Sequence, residues 1–585
     1  MIPDDLPVPV ETRPPMAWGS DALAALLGTL DLPYIAMVPG SSYRGLHDSI
    51  VNFLGNRAPQ ILICLHEEHS VAIAQGYAKV TGRPMLVALH ANVGLMHAAM
   101  AIYNAYCDRT PMVVLGATGP VDAAKRRPWI DWVHTAADQG ALVRDYVKWD
   151  DQPASVAAAL ESIVRGNVLT RATPNAPVYI CLDSELQEDP LPEGVQVPDP
   201  TRYPVPLAPA PDAATVAHLR SLVAQAERPL LLLGRSDRDE ARWAARVALA
   251  ERLGLAVLTD MRMPAAFPTE HGHHPATPGA GRLTESGHQL VERADLIIAL
   301  EWTELGGTLA SVFGDGPRPA VVGCRTSDVF AGGWTKDHYA TVPADLEITA
   351  TADQVVQALL PDADADVIRR QAWPPVLEVT AVVDRTQVSG DPILMPDLAE
   401  ALRKAAGSTP VAYTTLPLGW WNDDAQFSHP LDYLGRDGGG GVGSGPGIAV
   451  GAALALDGTG RIPVAVIGDG DFLMGSSALW TAAHYQLPLL VVIANNRSYH
   501  NDEGHQERVA ERRSRPTENR TVGQLLRDPD PDPATIAQGY GLTGIGPVSE
   551  PDELLPTLTE AMARVQRGET VVVDVRVNPL GYGRL

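Results

Sequence analysis

At 585 residues the chain is longer than one hydrophobic core organises, so two to four domains are expected, and its 45% hydrophobic content implies globular structure throughout. A formal charge of −25 excludes nucleic acid and anionic membrane as general partners, although not a local basic pocket. Cys64, Cys107, Cys181 and Cys324 are scattered without a Cys-x-x-Cys pair, so neither a disulfide framework nor a zinc site is expected.

The acidic, proline-rich start, Met1-Ile-Pro-Asp-Asp-Leu-Pro, lacks the basic and apolar blocks of a leader, and no apolar run reaches the roughly 18 residues of a spanning helix. The expectation is a soluble cytoplasmic protein with no membrane partner. Over residues 16–188, strand-like runs at 33–38, 61–65, 85–89, 112–115 and 178–182 alternate with helical spacing at 70–80 and 95–106, predicting a doubly wound α/β domain. Residues 190–211 hold eight prolines without periodicity and read as a linker.

A second α/β unit, 212–360, is predicted from strands at 229–233, 255–258, 295–300 and 320–323 and a helix at 240–253. No strand leads into Gly-x-Gly-x-x-Gly, so no dinucleotide fingerprint is present and FAD is not expected. His271-Gly-His273-His274 is wrongly spaced for a helix-borne metal site and reads as a surface loop, or as one histidine turned to an active site. After a second linker over roughly 361–395, the third domain, 396–585, has a first strand ending in Thr414-Thr415, further strands at 463–467, 489–494 and 570–576, and a helix over 476–485. The fold class expected is therefore α/β, with three doubly wound parallel-sheet domains.

In the third domain, continuous Val/Ile/Leu runs mark strands buried on both faces, and ligands bind at the C-terminal ends of such strands. There stand Gly468-Asp469-Gly470 and Asn495-Asn496. Asp469 and Asn496 offer hard oxygen ligands for Mg²⁺ or Ca²⁺, and the glycines let backbone N–H groups approach a phosphate. Gly-Asp-Gly followed by Asn-Asn, with 27 positions from Asp469 to Asn496 (496 − 469), resembles the motif of the thiamine diphosphate-dependent 2-oxo acid decarboxylase and acetolactate synthase family. Its three-domain order, pyrimidine-binding, middle and diphosphate-binding, resembles the whole chain. Locally, Ser477-Ala-Leu-Trp-Thr-Ala-Ala483 and Leu89-His90-Ala-Asn-Val-Gly94 are similar to the benzoylformate decarboxylases.

The resemblance implies an enzyme using thiamine diphosphate and Mg²⁺ on a small-molecule 2-oxo acid, releasing an aldehyde or, as in acetolactate synthases, joining the remaining fragment to a second carbonyl compound. A bound but inactive subunit is the alternative of another class. Glu67 lies nine residues before Gly76-Tyr77-Ala78 (76 − 67), the family's place for the carboxyl that protonates N1′ of the aminopyrimidine; Glu68 would point about 100° away on a helix. Gly440 and Val442, in the run Gly438 to Gly447, imply a pyrimidine-ring contact and an apolar wedge. Gly468, Gly470, Asp471, Phe472, Thr414 and Thr415 are expected around the diphosphate; Asp469, Asn496 and the Ser498 carbonyl are expected around the metal. An acid at Asp471 should repel a diphosphate unless it turns outward. Ser41, His90 and Asn501 are substrate candidates, and His90 and Asp502 proton-transfer candidates. The family also implies sites shared between two copies, so a homodimer at least and a homotetramer by analogy.

Overall fold

The computed structural model describes residues 5–8, 14–326, 342–360 and 390–580, with 368, 370, 373, 375, 376 and 388 between them. Most of the linker expected over 361–395 lies outside the described residues, as do Met1 to Asp4 and the last five residues.

The first sheet contains β1 (Tyr34–Met37), β2 (Gln60–Ile63), β3 (Leu86–Leu89), β4 (Met112–Thr118), β5 (Trp149–Asp151) and β6 (Pro177–Asp183) in the order β2-β1-β3-β4-β6-β5. The second contains β7 (Pro229–Leu233), β8 (Ala256–Thr259), β9 (Leu296–Leu300), β10 (Ala320–Arg325) and β11 (Leu346–Thr349) in the order β11-β10-β9-β7-β8. In the third, β12 (Val411–Thr415), β13 (Ile462–Gly468), β14 (Leu489–Asn495), β15 (Thr543–Val548) and β16 (Thr570–Arg576) lie in the order β12-β13-β14-β16-β15. Every ladder between these strands is parallel. The chain is thus three parallel-sheet α/β units, as its alternating pattern predicts.

Central strands β4, β6, β14 and β16 are buried along their whole length, which explains their unbroken apolar runs. Edge strands β5 and β15 are shorter or polar, with Asp150 and Asp151 in one and Gly544 and Gly546 in the other, and carry no such run.

Two helices set the geometry between the first and third sheets. Glu67–Thr81 begins three residues earlier than expected because His66 caps it, Nδ1 accepting the Glu68 N–H at 3.2 Å. This helix crosses Gly445–Leu456 backbone to backbone: a side chain on Gly76 would meet the Ile448 carbonyl, and one on Gly451 the Ile73 carbonyl. The crossing fuses the first and third sheets around one apolar cluster containing Tyr77, Leu95, Ala449, Ile467, Phe472 and Leu479. Beside it, Lys79 Nζ pairs with Asp108 at 2.5 Å and donates to the Arg436 carbonyl at 2.6 Å. No helix among the described residues is long and apolar enough to cross a membrane.

Candidate active site

In the first sheet the strand order reverses between β1 and β3, which leaves a crevice at their C-terminal ends. The chain leaves β1 through Gly40 and β3 through His90, and Gly40 lies against the His90 ring so closely that a methyl there would collide with it. Ser42 Oγ lies 2.9 Å from His90 Nδ1 and accepts the Ala91 N–H at 3.2 Å. Ala91 is held at φ 47°, a strained value for a residue with a side chain. The His134 ring stands edge-on to His90 at 4.8 Å. Burial lowers the His90 pKa, His134 and Arg127 push it the same way, and Glu67 opposes them, so the imidazole is neutral near pH 7. Ser41, the expected substrate serine, is exposed; the hydroxyl that meets His90 belongs to Ser42.

Glu67 opens its helix as a buried residue, Oε2 3.0 Å from His97 Nδ1. Gly94 leaves room for its carboxyl. Glu68 is less buried than Glu67: burial raises its pKa, His66 and His97 oppose that, and its charge reaches Asp471. His69, held neutral by burial with a pKa of about 4, joins the two sheets through Nε2 and Ser477 Oγ at 2.8 Å.

The glycine run lies on the Ala91–Cys107 helix. Asn104 Oδ1 accepts the Gly441 N–H at 3.3 Å, and Met100 covers Gly441. Gly440 has φ 72° and donates to Asp437 Oδ1 at 3.0 Å, with open space where a side chain would stand. Val442 is 48% exposed beside it, free to serve as the expected wedge. Asp471 corrects the expectation of a diphosphate contact. Its carboxyl is turned inward and accepts from Gly443 N at 2.6 Å and Gly445 N at 3.4 Å. Burial pushes its pKa up to about 6 against those donors. Phe472 has its whole side chain in the core, so only its backbone can face a ligand. The Thr414 hydroxyl is likewise buried and turned to the Val464 carbonyl at 3.5 Å, leaving Thr415 as the more accessible threonine at that strand end.

Asp469 is the first residue of the helix Asp469–Gly475, beside Gly470, against which the Tyr499 ring packs. It is 4% exposed, and its Oδ2 has no hydrogen-bond partner. Burial lifts its pKa to about 6 although backbone N–H groups at Gly470, Arg497 and Ser498 pull it down. A buried carboxylate oxygen without a donor fits a divalent cation. Asn496 Oδ1 accepts the Ser498 N–H at 2.9 Å, folding the turn that carries the Ser498 carbonyl. Asn495 braces the neighbouring strand instead, donating to Asp574 Oδ1 at 2.8 Å.

Asn501 and Asp502 are exposed on the helix His500–Arg512. The acid that faces inward is Glu503, which accepts from Ser498 Oγ and lies 3.2 Å from His500 Nδ1. The middle-sheet histidines make local contacts: His274 stacks on Phe267 and bonds Thr259, His273 bonds the Leu255 carbonyl, and His271 pairs with Glu251. A cavity of about 570 Å³, lined by Asp108, Arg109, Arg235, Arg238 and Glu301 among others, lies between the first and middle sheets and touches neither Glu67 nor Asp469.

Residues 17–142 match the family described as thiamine pyrophosphate enzyme, N-terminal TPP binding domain, and residues 418–575 match thiamine pyrophosphate enzyme, C-terminal TPP binding domain. The chain is 27% identical over 459 residues to a benzoylformate decarboxylase of Pseudomonas aeruginosa, covering 75% of this chain and 79% of the relative. It is 26% identical over 596 residues to the acetolactate synthase large subunit of Corynebacterium glutamicum, covering 95% and 86%. Among solved structures, its fold is similar to a thiamine diphosphate-dependent 4-hydroxybenzoylformate decarboxylase of Rhodococcus jostii RHA1, with TM-score 0.76, 22% identity and 96% and 99% of the two chains covered. A benzoylformate decarboxylase from Polynucleobacter necessarius gives TM-score 0.76 at 21% identity, with 96% and 99% covered.

Proposed function

We propose that this chain, which belongs to the thiamine diphosphate-dependent decarboxylase and acetolactate synthase family, removes CO₂ from a 2-oxo acid without oxidation and releases an aldehyde. Thiamine diphosphate, when bound, supplies the electron sink for the carbon that loses CO₂. Asp469, Asn496 and the Ser498 carbonyl would hold Mg²⁺, while Gly468 and Gly470 present the backbone of the strand-to-helix turn to the diphosphate. Gly440 and Val442 would take the rings, and Glu67 would carry the proton exchanged with the aminopyrimidine N1′.

The observation that carries the decarboxylase reading is His90. It is a neutral imidazole fixed by Ser42, and it feels the charge of Glu67. Such a group can orient a substrate carboxylate and, once it has taken up a proton, deliver it as the imidazolium, the step that ends in an aldehyde. The residues around Glu67 also support a second copy as partner, a homodimer at least and a homotetramer by analogy. Leu65 and Met96, close in the chain to Glu67 and His97, are exposed, as are Met100 beside Gly441 and Met474 beside Gly443, apolar surface that a second copy would cover.

The test is a panel of aliphatic and aromatic 2-oxo acids with ThDP and Mg²⁺ and product identification. Aldehyde with stoichiometric CO₂ is expected; acyloin or acetohydroxy acid as the main product would assign the carboligase instead. Glu67→Gln should lose turnover while keeping its circular dichroism spectrum, and an active E67Q enzyme would remove Glu67 from this role.

A further inference from the structure

We propose that His66, Glu67 and His97 form a second metal site, separate from the Asp469 turn, that takes a transition-metal dication such as Zn²⁺ and switches the enzyme off by occupying its activator carboxyl. The switch rests on Glu67 being the carboxyl that serves the aminopyrimidine. One ligand atom from each of the three residues lies within 4.8 Å of the others. His97 Nδ1 and Glu67 Oε2 are 3.0 Å apart, near the roughly 3.3 Å between two ligands of a tetrahedral Zn²⁺ whose bonds are about 2.0–2.2 Å. The His66 and His97 rings stack at 4.9 Å and 18°, so both imidazoles already border the carboxyl.

Two imidazoles and one carboxylate, with a fourth position open, form a zinc donor set. The same set is unsuited to Mg²⁺, which demands near-octahedral oxygen coordination, whereas Asp469 and Asn496 offer the oxygens that Mg²⁺ prefers. The two sites therefore select different ions. His97 is more than half exposed on the single chain. Closure needs His66 to swing: its ring lies nearly parallel to that of His97, so their in-plane lone pairs converge only after it turns, and turning releases the Nδ1 that caps the Glu68 N–H at 3.2 Å. That bond is long, and Glu68 is only partly buried, so water can replace the cap. The carboxylate of Glu68 adds negative charge beside the ion and offsets the positive end of the helix.

Metal-stripped full-length protein, free of ThDP and Mg²⁺, is titrated with Zn²⁺ by calorimetry and with Co²⁺ as a visible-absorbing substitute. One site per chain is expected, showing the absorption of nitrogen-ligated Co²⁺, resisting excess Mg²⁺, and weakened roughly tenfold or more by either H66Q or H97Q. H271Q, on the middle domain, should bind as the unaltered protein does. Absence of binding, or affinity unchanged in both H66Q and H97Q, overturns the site. These readings need no turnover, so they stand apart from the decarboxylase assignment. In the ThDP- and Mg²⁺-loaded enzyme, Zn²⁺ should inhibit and H97Q should relieve the inhibition; equal inhibition in both proteins overturns the switch.

Discussion

Replacing Gly76 by alanine tests the idea that the helix crossing sets the catalytic geometry. A Cβ at Gly76 would collide with the Ile448 carbonyl oxygen and stand 2.8 Å from its carbon and 3.0 Å from Ala452 N; at Gly451 the Ile73 carbonyl carbon and Tyr77 N would lie at 2.7 and 2.8 Å. All of these are helix backbone atoms, so none can rotate away, and ordinary contact at 3.4–4 Å requires the helices to part. A separation on the order of 1 Å strains a close-packed core, and overpacking of this kind costs about 1–3 kcal/mol. Alanine regains about 1 kcal/mol of helix propensity, so the net loss is about 0–2 kcal/mol. Glu67 opens the displaced helix, and the glycine loop leads into the other. A shift of about 1 Å between them is expected to lower turnover on the order of 100-fold. Urea unfolding gives the stability and steady-state assays give the turnover; G451A should reproduce both, and the double variant should cost less than the sum because the same gap opens once. A G76A protein with unaltered stability and turnover would refute the reasoning.

Two other outcomes follow from the site. The folded-state pKa of Asp469 is raised from 3.8 to about 6, so between those values the folded protein binds the extra proton; this residue then destabilises the metal-free fold as pH rises, fully so above about 6. Mg²⁺ takes only the ionised carboxylate, so its affinity should fall about tenfold per unit below about pH 6 and level off above it. Thermal shifts with Mg²⁺ near pH 5 and pH 7.5 check this, and equal shifts at the two would contradict it. Ser42→Ala should cost about 1 kcal/mol, on the order of fivefold in turnover, by releasing His90 Nδ1, and should alter the pH–rate profile. Ser41→Ala should change neither, and a larger effect from S41A than from S42A would reverse the assignment.

What is legible in the sequence depends on periodicity. Strands β13, β14 and β16 are buried on both faces and read as unbroken apolar runs, so the sequence alone places Asp469 and Asn496 at strand ends. Counting back from Gly76 separates Glu67 from Glu68, and the helix confirms their divergence. What the sequence hides lies where no period exists. Ser41 and Ser42 share a turn, so nothing in the pattern says which hydroxyl turns inward. The helix His500–Arg512 is polar nearly all round, and without an apolar stripe its phase is hidden, so the sequence does not say that Glu503 is buried and Asp502 exposed. His97 has no sequence link to Glu67 at all, because their contact joins two helices through the tertiary fold.

Asp471 shows how a residue that looks wrong in sequence acquires a physical reason. A second carboxylate beside a diphosphate would repel it, but the Asp471 side chain is buried and holds the N–H groups of Gly443 and Gly445 instead. Burial, aided by nearby Asp437 and Glu68, raises its pKa, so the two donors hold a carboxyl whose charge has no cation to balance it. The residue lies two positions after Asp469 on the same helix, and its bonds tie that helix to the loop presenting Gly440 and Val442. The turn that would hold the metal and the loop that would hold the rings are therefore one mechanical unit. A glycine run that reads as flexible is fixed from below by an acid.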